Sequence, residues 1–490
     1  MRQGECGGSG CPRMRLRRRD FLGAAGVAGA SALVAAMGLG GCGSASERTG
    51  EAPRLNPWPG PGPTVRAVFI RPKADKFWMG WPGASYDIAG HQAMYTETLR
   101  KAAEEVGVAL EFAEPILSPA EVPAFLDGLK TRPLQGILVV IMHFSRWGDV
   151  NRIVDERGAV PLVVFSPMGT SFTGHLQKAS HAPGVFVGAT QDVDWLTTGL
   201  KMHRALWVLK NSRIVIAQGD KTENQVLAPA GTTIVRVPRE RFVEELAKVQ
   251  ECDEAREIAA FYTKEARKIV EPSAADVLNA AENYVACKRL MAAEKCQGIS
   301  MDCLGLVSTR KIPCPPCIGF SRLLDEGMVG ACEADVNAAI SFLVTASLLG
   351  RPGFMQDPAP NTVNNTLMGA HCTCATRLDG FDKPREPIIL RSHSESAIGV
   401  SPQVLWRLGQ KVTLMKFDGA GKSMFIGTGK VVANIDTPPS GGCRTSVELA
   451  LDDIPDARDV KGFHQLFVYG DHAVILKGFC QLAGIEAVHI

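Results

Sequence analysis

From residue 64 onward, short apolar runs alternate with longer segments in which apolar residues recur at helical spacing. The apolar runs lie at residues 64–70, 109–112, 135–141, 161–165 and 185–188, and the helical segments lie near 92–106 and 119–129. Short buried strands that alternate with helices are typical of a doubly wound parallel sheet. We therefore predict a first α/β domain over residues 64–190.

The same alternation begins again near residue 211. Strands are predicted at 213–217, 233–237 and 298–303, with a charged helical block at 238–278 and an apolar helix at 338–349. This pattern predicts a second doubly wound parallel-sheet α/β domain over residues 191–352.

Beyond residue 353 the chain consists of short strands separated by Gly, Asp and Pro turns. The strands are predicted at 387–390, 411–417, 424–432 and 444–451. Such spacing indicates antiparallel sheet. The predicted C-terminal domain, residues 353–490, is therefore β-rich and barrel-like.

A targeting pattern precedes these domains. Arg18 and Arg19, followed by Asp-Phe-Leu and a Gly/Ala-rich apolar run, resemble a twin-arginine export signal. The run ends in Leu-Gly-Gly-Cys42, which fits a lipobox, so residues 1–42 are interpreted as a signal and Cys42 as a lipidated residue. Cleavage without lipid near residues 44–46, and a start at Met14, are the alternatives. Residues 43–63 are Gly/Pro-rich and predict an extended tether. The predicted location is periplasmic or extracytoplasmic, with membrane contact through the lipid anchor alone.

Candidate metal ligands lie between residues 330 and 374. Glu333 and Asp335 open the apolar helix 338–349, and Asp357 follows a short strand. Two prolines after Asp357 predict an irregular loop there, and His371 is expected in a loop as well. Oxygen and nitrogen ligands of this kind suit Mn²⁺ or another divalent cation. An acidic residue at a helix start also interacts favourably with the helix dipole, which gives Glu333 a purely structural explanation.

These residues resemble motifs of the L-fucose isomerase and L-arabinose isomerase superfamily. The 24-residue spacing from Glu333 to Asp357 is similar to the Glu…Asp metal pair of the fucose isomerases, and His464, four residues before Tyr-Gly, resembles the third ligand. The Gly-Ala-His segment ending at His371 is similar to one in the arabinose isomerases. Gly-Cys-Arg-Thr, which contains Arg444, resembles another fucose isomerase loop. The resemblance covers roughly residues 295–490.

The resemblance implies a metal-dependent isomerase that converts a fucose- or arabinose-like aldose to its ketose through an enediol. It implies that Glu333 and Asp357 are both metal ligands and acid/base groups, that His464 is a ligand, and that His371 and Arg444 orient substrate hydroxyls. It also implies a homo-oligomer. The alternative hypothesis is an exported, lipid-anchored carbohydrate-binding protein that keeps the fold without turnover.

Two tryptophans lie in the loop that follows the first predicted strand. Trp78 and Trp81 are beside glycine, at the edge where parallel sheets bind ligands. They are interpreted either as a platform for a sugar ring or as part of a subunit interface.

The remaining candidate chemistry belongs to cysteines and histidines. The chain has 14 cysteines. Cys314 and Cys317 have the spacing of a redox pair or a metal-binding pair, and with Cys372 and Cys374 they would provide four thiolates for zinc. An ordinary disulfide or buried thiols are the alternatives. His393 is expected near the pocket, whereas His472 is expected to pack at the start of the last helix.

The composition of the chain excludes few classes of function, but it reduces the range of expected binding partners. The chain of 490 residues is 46% hydrophobic and 21% charged, and its net charge of +2 does not favour nucleic acid. It contains no phosphate-binding Gly-rich motif, no Gly-x-Ser-x-Gly and no His-Glu-x-x-His, which disfavours nucleotide, hydrolase and zincin chemistry. A small-molecule sugar remains the expected partner.

Overall fold

The computed structural model of the protein describes residues 57–76, 81–250, 252–437 and 442–490. The predicted signal, Cys42, most of the tether and Trp78 lie outside the described residues. Among the helices within these ranges, none combines the length and the hydrophobicity that crossing a membrane requires.

The strands are β1 (Thr64–Ile70), β2 (Ala109–Phe112), β3 (Gly136–Ile141), β4 (Leu162–Pro167), β5 (Val185–Thr190), β6 (Arg213–Ala217), β7 (Glu223–Val226), β8 (Thr233–Val237), β9 (Lys268–Ile269), β10 (Gly298–Met301), β11 (Val329–Ala331), β12 (Phe354–Asn361), β13 (Thr366–His371), β14 (Ile388–Arg391), β15 (Ser401–Val404), β16 (Lys411–Asp418), β17 (Ser423–Asn434), β18 (Thr445–Leu451), β19 (Gln465–Tyr469) and β20 (Glu486–His489). The α-helices are α1 (Ile88–Val106), α2 (Val122–Lys130), α3 (Trp147–Glu156), α4 (Thr173–His181), α5 (Trp195–Asn211), α6 (Glu240–Ala247), α7 (Asp253–Glu265), α8 (Ala274–Ala293), α9 (Cys303–Ser308), α10 (Cys317–Asp325), α11 (Val336–Leu349) and α12 (Ala473–Ala483).

The first five strands form a parallel sheet in the order β2-β1-β3-β4-β5. Val68 and Val139 enter a core that includes residues of α2 and α3 on one face. Phe69 and Val140 enter a core with α1 and α5 on the other face. Since alternate side chains of a strand point to opposite faces, a sheet with helices on both faces needs apolar residues at consecutive positions. The predicted doubly wound sheet is confirmed.

A second sheet follows in the order β11-β10-β6-β8-β7, parallel except for β7. The predicted helical block at 238–278 was wrong in part, because it contains α6, α7, the short strand β9 and only the start of α8. Ser273 begins α8 by accepting a hydrogen bond from the backbone of Asp276, at 3.2 Å. Strand β9 pairs with β14 in a small sheet of order β15-β14-β9, which connects this region to the C-terminal part.

The C-terminal strands close into a six-stranded antiparallel barrel. Its order is β16-β19-β12-β13-β18-β17, and β17 pairs again with β16. Strand β20 adds to β17 in parallel. Closure leaves few unpaired edges, which is the physical advantage of a barrel over an open sheet. The predicted barrel-like domain is confirmed.

The loop predicted after Asp357 is instead part of a strand. Strand β12 runs through Pro358 and Pro360 to Asn361 and pairs with β13 along residues 357–361. On its other side β12 pairs with β19 only at residues 354–356. After residue 356, the edge of β12 that faces β19 is therefore no longer paired with β19. Proline has no N–H to donate, so it is tolerated where a strand has such an unpaired edge. Asp357 thus lies within a strand, and His371 is the last residue of β13 rather than a loop residue.

Helix α11 lies between the second sheet and the barrel. Asp335 is its N-cap, and Gly350, in the left-handed region at φ +64°, ends it as predicted. The helix packs against β10 and β11 on one side and against β16 and β19 on another. A helix that is apolar around most of its circumference has to be buried in this way.

Candidate metal centre

Four side chains predicted as site residues converge beside the first turn of α11. Oε1 of Glu333 lies 3.5 Å from Nε2 of His371, and Oε2 of Glu333 lies 3.5 Å from Nε2 of His464. Nε2 of His464 lies 3.1 Å from Oδ1 of Asp357. One ligand atom from each of Glu333, His371 and His464 lies within 4.8 Å of the others, close enough to hold one metal ion.

Strand register explains the convergence of the three barrel residues. Asp357 pairs with Ala370, next to His371 at the end of β13. Gln356 pairs with Gln465, so that Asp357 is adjacent to His464 just before β19. The barrel therefore gathers side chains that are more than a hundred residues apart in the chain.

Glu333 comes from outside the barrel. It lies in the connection between β11 and α11, two residues before the N-cap Asp335. The favourable interaction with the helix dipole therefore belongs to Asp335 more than to Glu333. Helix capping therefore does not explain the position of Glu333, whereas binding of a metal together with His371 and His464 would explain it.

Two of the site residues have unusual backbone conformations. Glu333 and His464 have φ of +59° and +56°, and Ala334 has +57°. A non-glycine residue in this region costs about 1 kcal/mol or more, and such conformations concentrate at functional sites. The fold thus holds Glu333 and His464 in place at an energetic cost.

Several polar atoms of the donor set lack hydrogen-bond partners. Oδ1 of Asp357, both ring nitrogens of His371 and Nε2 of His464 are buried without a hydrogen-bond partner among the described residues. The approach of His464 to Asp357 is short, but it lacks hydrogen-bond geometry. Buried polar atoms without partners are costly. A cation bound among these atoms would satisfy them, so these residues fit a divalent metal.

Asp335 positions His464. Its Oδ2 accepts a hydrogen bond from Nδ1 of His464 at 2.9 Å and another from Nζ of Lys416 at 2.7 Å. Because a carboxylate can only accept, the proton is on Nδ1, and Nε2 faces Glu333 and Asp357. A second carboxylate behind a ligating histidine is a common arrangement in metal sites.

The charges of the site are strongly coupled. Burial alone would lower the pKa of His464, but the hydrogen bond with Asp335 and the nearby carboxylates of Asp357 and Glu333 raise it from 6.5 to about 9. Burial alone would raise the pKa of Asp335, but His464 and Lys416 lower it to about 2. The close approach of His371 lowers the pKa of Glu333 despite its burial. Two ionised carboxylates thus surround His464, a concentration of negative charge that favours a cation.

Asp335 and Lys416 were not assigned a role from the sequence. Asp335 was recognised only as a residue that opens a helix. Lys416 is buried in β16 among apolar neighbours, and its partners are Asp335 and the backbone carbonyl of Phe463. The sequence did contain a signal for this role, namely a lysine between the apolar residues Met415 and Phe417 of a predicted strand. A lysine buried at such a position needs a charged partner.

A cavity of about 750 Å³ has His393 in its lining, whereas Glu333, Asp357, His371 and His464 do not line it. Its lining includes Leu304, Arg310, Ile312 and Glu395. His393 is buried, and burial together with the nearby His371 and Arg444 lowers its pKa to about 4. The imidazole of His393 is therefore neutral near pH 7 and forms part of the cavity wall.

Arg444 has its donors occupied by protein. Its guanidinium donates to the carbonyl oxygens of Ser392 and Thr437, at 2.7 and 2.9 Å, and to the hydroxyl of Ser392 at 3.1 Å. In this geometry Arg444 holds two loops together. Its contact with a substrate hydroxyl stays a prediction.

Trp81 lies in a different part of the protein from the metal residues. It stacks on Phe172, with ring centroids 5.1 Å apart, and is 59% exposed. It lines a cavity of about 400 Å³ at the carboxyl ends of β4 and β5, together with Tyr86, His91 and Tyr95. None of Glu333, Asp357, His371 and His464 lines this cavity.

The four cysteines considered for zinc do not gather around one point. The thiols of Cys314 and Cys374 donate to the carbonyl oxygens of Pro315 and Ala375. Cys317 and Cys372 are in contact. In the part of the chain that the structure describes, no group of three or more cysteines has the spacing of a metal site. His472 is the N-cap of α12, as predicted, and bonds to the carbonyl oxygen of Tyr469 at 2.8 Å.

Comparisons with known proteins give little further information. No family model matches the chain, and no curated protein matches it. A solved structure of a mutant XylFII–LytSN complex is 11% identical, with 55% of this chain and 96% of that chain covered and a TM-score of 0.16. A similarity this weak supports no inference about fold or function, so the proposal below depends on the residues of the site.

Proposed function

We propose that this protein is a metal-dependent aldose–ketose isomerase that acts on a fucose- or arabinose-like sugar. Glu333, Asp357 and His464 would hold Mn²⁺ or another divalent cation, with His371 beside them. The observation that carries this proposal is that one ligand atom from each of Glu333, His371 and His464 lies within 4.8 Å of the others, while the unpartnered Oδ1 of Asp357 lies 3.1 Å from Nε2 of His464.

The donor set suits proton transfer next to a carbonyl group. Isomerisation requires that a proton leaves C2 of the sugar and arrives at C1 while negative charge develops on oxygen. A bound divalent cation would supply the positive charge that stabilises this oxygen. Glu333 and Asp357, whose carboxylates both approach Nε2 of His464, would pass the proton between the two carbons.

Other residues would define the environment of the reaction. Asp335 and Lys416 fix the orientation of His464 from behind. His393 offers a neutral imidazole on the wall of a cavity that, at about 750 Å³, has room for a monosaccharide. A buried neutral imidazole can donate or accept a hydrogen bond with a sugar hydroxyl.

The test is a panel of pentoses and 6-deoxyhexoses incubated with the purified chain and Mn²⁺. We expect ketose formation and incorporation of solvent deuterium at C2. Glu333→Gln and Asp357→Asn should each abolish both signals. Asp418→Asn is the matched control, because Asp418 is an exposed carboxylate at the end of a barrel strand, and it should behave as the wild type.

Two outcomes would contradict the proposal in different ways. Full metal occupancy in the Glu333→Ala/Asp357→Ala double variant would show that these carboxylates do not form the site. Metal at the site together with sugar binding, but without exchange at C2, would support the alternative of a carbohydrate-binding protein without turnover. By the same reasoning from resemblance, we propose a homo-oligomer, which sedimentation of the purified chain would test.

A further inference from the structure

Three cysteines adjoin residues of the candidate site in the sequence, and two of them lie close together in space. Cys332 precedes Glu333, Cys372 follows His371, and Cys443 precedes Arg444. Sγ of Cys372 and Sγ of Cys443 are only 3.2 Å apart. Both thiols are free. Two thiols at this distance need to approach by little more than 1 Å to reach the disulfide bond length of about 2.05 Å.

Strand pairing holds these two thiols together. His371 pairs with Thr445 at the last position of the β13–β18 ladder. Cys372 comes one residue after β13, and Cys443 comes two residues before β18. The two cysteines therefore lie on neighbouring strands just past the end of their ladder. Their proximity is a property of the barrel and not a chance contact between loops.

Another thiol, that of Cys317, contacts Cys372. Cys317 is the first residue of α10, and its thiol and that of Cys372 are hydrogen-bonded. That bond, together with bonds from Ser401 and Thr373, lowers the pKa of the Cys317 thiol although it is buried. The amino end of a helix also favours a thiolate. Cys317 is thus the natural nucleophile toward any disulfide that forms at Cys372.

The thiols of Cys443, Cys372 and Cys317 differ in their exposure to solvent. Cys443 is half-buried, whereas Cys372 and Cys317 are buried. An oxidant in solution can therefore reach Cys443 before it reaches the other two.

We propose that Cys443, Cys372 and Cys317 form a reversible redox site whose oxidant is a hydroperoxide. The Cys443 thiolate attacks hydrogen peroxide, which forms a sulfenic acid and releases hydroxide. The Cys372 thiol then attacks this sulfur, and the disulfide forms with loss of water. Two thiols are oxidised by two electrons in total, and one peroxide is reduced to two waters.

The third thiol allows the disulfide to move inward. The Cys317 thiolate attacks Sγ of Cys372, which forms a Cys317–Cys372 disulfide and releases the Cys443 thiolate. Cys443 is then free to react with a second peroxide. This inference does not depend on the isomerase proposal, because it concerns thiols and not the carboxylates and histidines.

The experiment uses the purified full chain after complete reduction and removal of the reductant. The protein is titrated with hydrogen peroxide, its free thiols are alkylated, and tryptic peptides are analysed by tandem mass spectrometry. We expect a link between peptide 323–377 and peptide 431–444, assigned to Cys372 and Cys443. The number of free thiols should fall by two and recover with dithiothreitol.

Variants separate the three roles. Cys443→Ser should remove the link, and Cys372→Ser should leave a sulfenic acid on Cys443 that dimedone traps. Cys317→Ser should increase the yield of the Cys372–Cys443 link, because the disulfide can no longer pass inward. Cys287→Ser is the matched control, since Cys287 is fully buried within α8, and it should not change the result.

The wild-type measurement alone can overturn the proposal. If excess peroxide leaves Cys372 and Cys443 both reduced in the folded protein, the pair is not redox-active. If peroxide converts Cys443 to a sulfinic acid while Cys372 stays a free thiol, the two thiols do not act together. Either result contradicts the proposed site.

Discussion

Nδ1 of His464 donates a hydrogen bond to Oδ2 of Asp335 at 2.9 Å, while Oδ1 of the same carboxylate accepts the backbone N–H of Ala338 at 2.8 Å. One side chain thus begins helix α11 and orients the imidazole of the candidate metal centre. The position of the helix and the position of a ligand are therefore coupled.

Asp335→Asn should weaken metal binding without disrupting the helix. Asparagine is an equally good N-cap, but it lacks the charge that fixes the Nδ1 proton of His464. Loss of such an outer partner costs about 10- to 100-fold in metal affinity. Titration of the apoprotein with Mn²⁺ measures this change. His472→Ala is the control for a histidine substitution outside the centre, and it should leave the metal affinity unchanged, whereas His464→Ala should remove binding. Equal Mn²⁺ affinity in Asp335→Asn and the wild type would contradict a positioning role.

Binding of the metal should stabilise the folded protein. Four buried atoms without partners destabilise the apoprotein, and a ligand that binds only the folded state stabilises it by about 2.7 kcal/mol at a free concentration 100 times its dissociation constant. We expect the melting temperature to rise with Mn²⁺ and to return to its original value with a chelator. The rise should disappear in Glu333→Gln and persist in Asp418→Asn. An equal rise in Glu333→Gln would place the binding elsewhere.

His203 should make stability depend on pH. It is fully buried beneath the first sheet, its Nε2 lies 3.1 Å from the carbonyl oxygen of Ile137, and burial lowers its pKa from 6.5 to about 4. Above pH 6.5 the residue is neutral in both the folded and the unfolded state and contributes no pH dependence. Between pH 6.5 and 4 only the unfolded state takes up the proton, so the free energy of unfolding falls by up to about 3 kcal/mol as the pH is lowered.

The control for this prediction is the same pH series on His203→Gln, which cannot titrate. Urea unfolding at pH 7.5, 6 and 5 gives the free energies of unfolding. The difference between wild type and variant should change by about 2 kcal/mol between pH 7.5 and pH 5, which is the part of the full change that falls in this range. A difference that does not vary with pH would show that His203 does not contribute in this way.

Cys42 should carry a lipid. The sequence Leu-Gly-Gly-Cys42 and the Gly/Pro-rich tether that follows suit a lipoprotein. We propose that the chain is exported by the twin-arginine route and anchored outside the cytoplasm. In a bacterial host with both export and lipidation machinery, Cys42→Ser should shift the protein from the membrane fraction to the soluble fraction. A wild-type protein that is already soluble, with a new amino terminus near residue 46, would contradict the anchor.

The parts of the fold that the sequence predicts well are those with local signals. The strands of the first sheet stand out because nearly every position of 136–141 is apolar and buried. Gly350 marks the end of α11, because glycine readily adopts the left-handed backbone conformation that ends this helix. Such features depend on neighbouring residues, and composition and periodicity report them directly.

The remaining features depend on pairings between distant residues. β12 passes through two prolines because of which strands lie beside it, and no local pattern contains that information. Glu333, Asp357 and His464 were identified through resemblance to a family. The role of Asp335 was missed because its partner lies 129 residues away. A contact between residues so far apart in the chain produces no periodic pattern in the sequence.

The closed barrel makes the candidate metal centre depend on a single strand. β19 lies between β12 and β16 and pairs with both, and His464 directly precedes it. Without β19 the barrel has a gap, and His464 is not held beside Asp357. Bringing these two residues together closes a loop of more than a hundred residues, and the pairing of β19 offsets the entropic cost of that closure. Metal affinity at these residues would therefore report whether β19 occupies its place in the barrel.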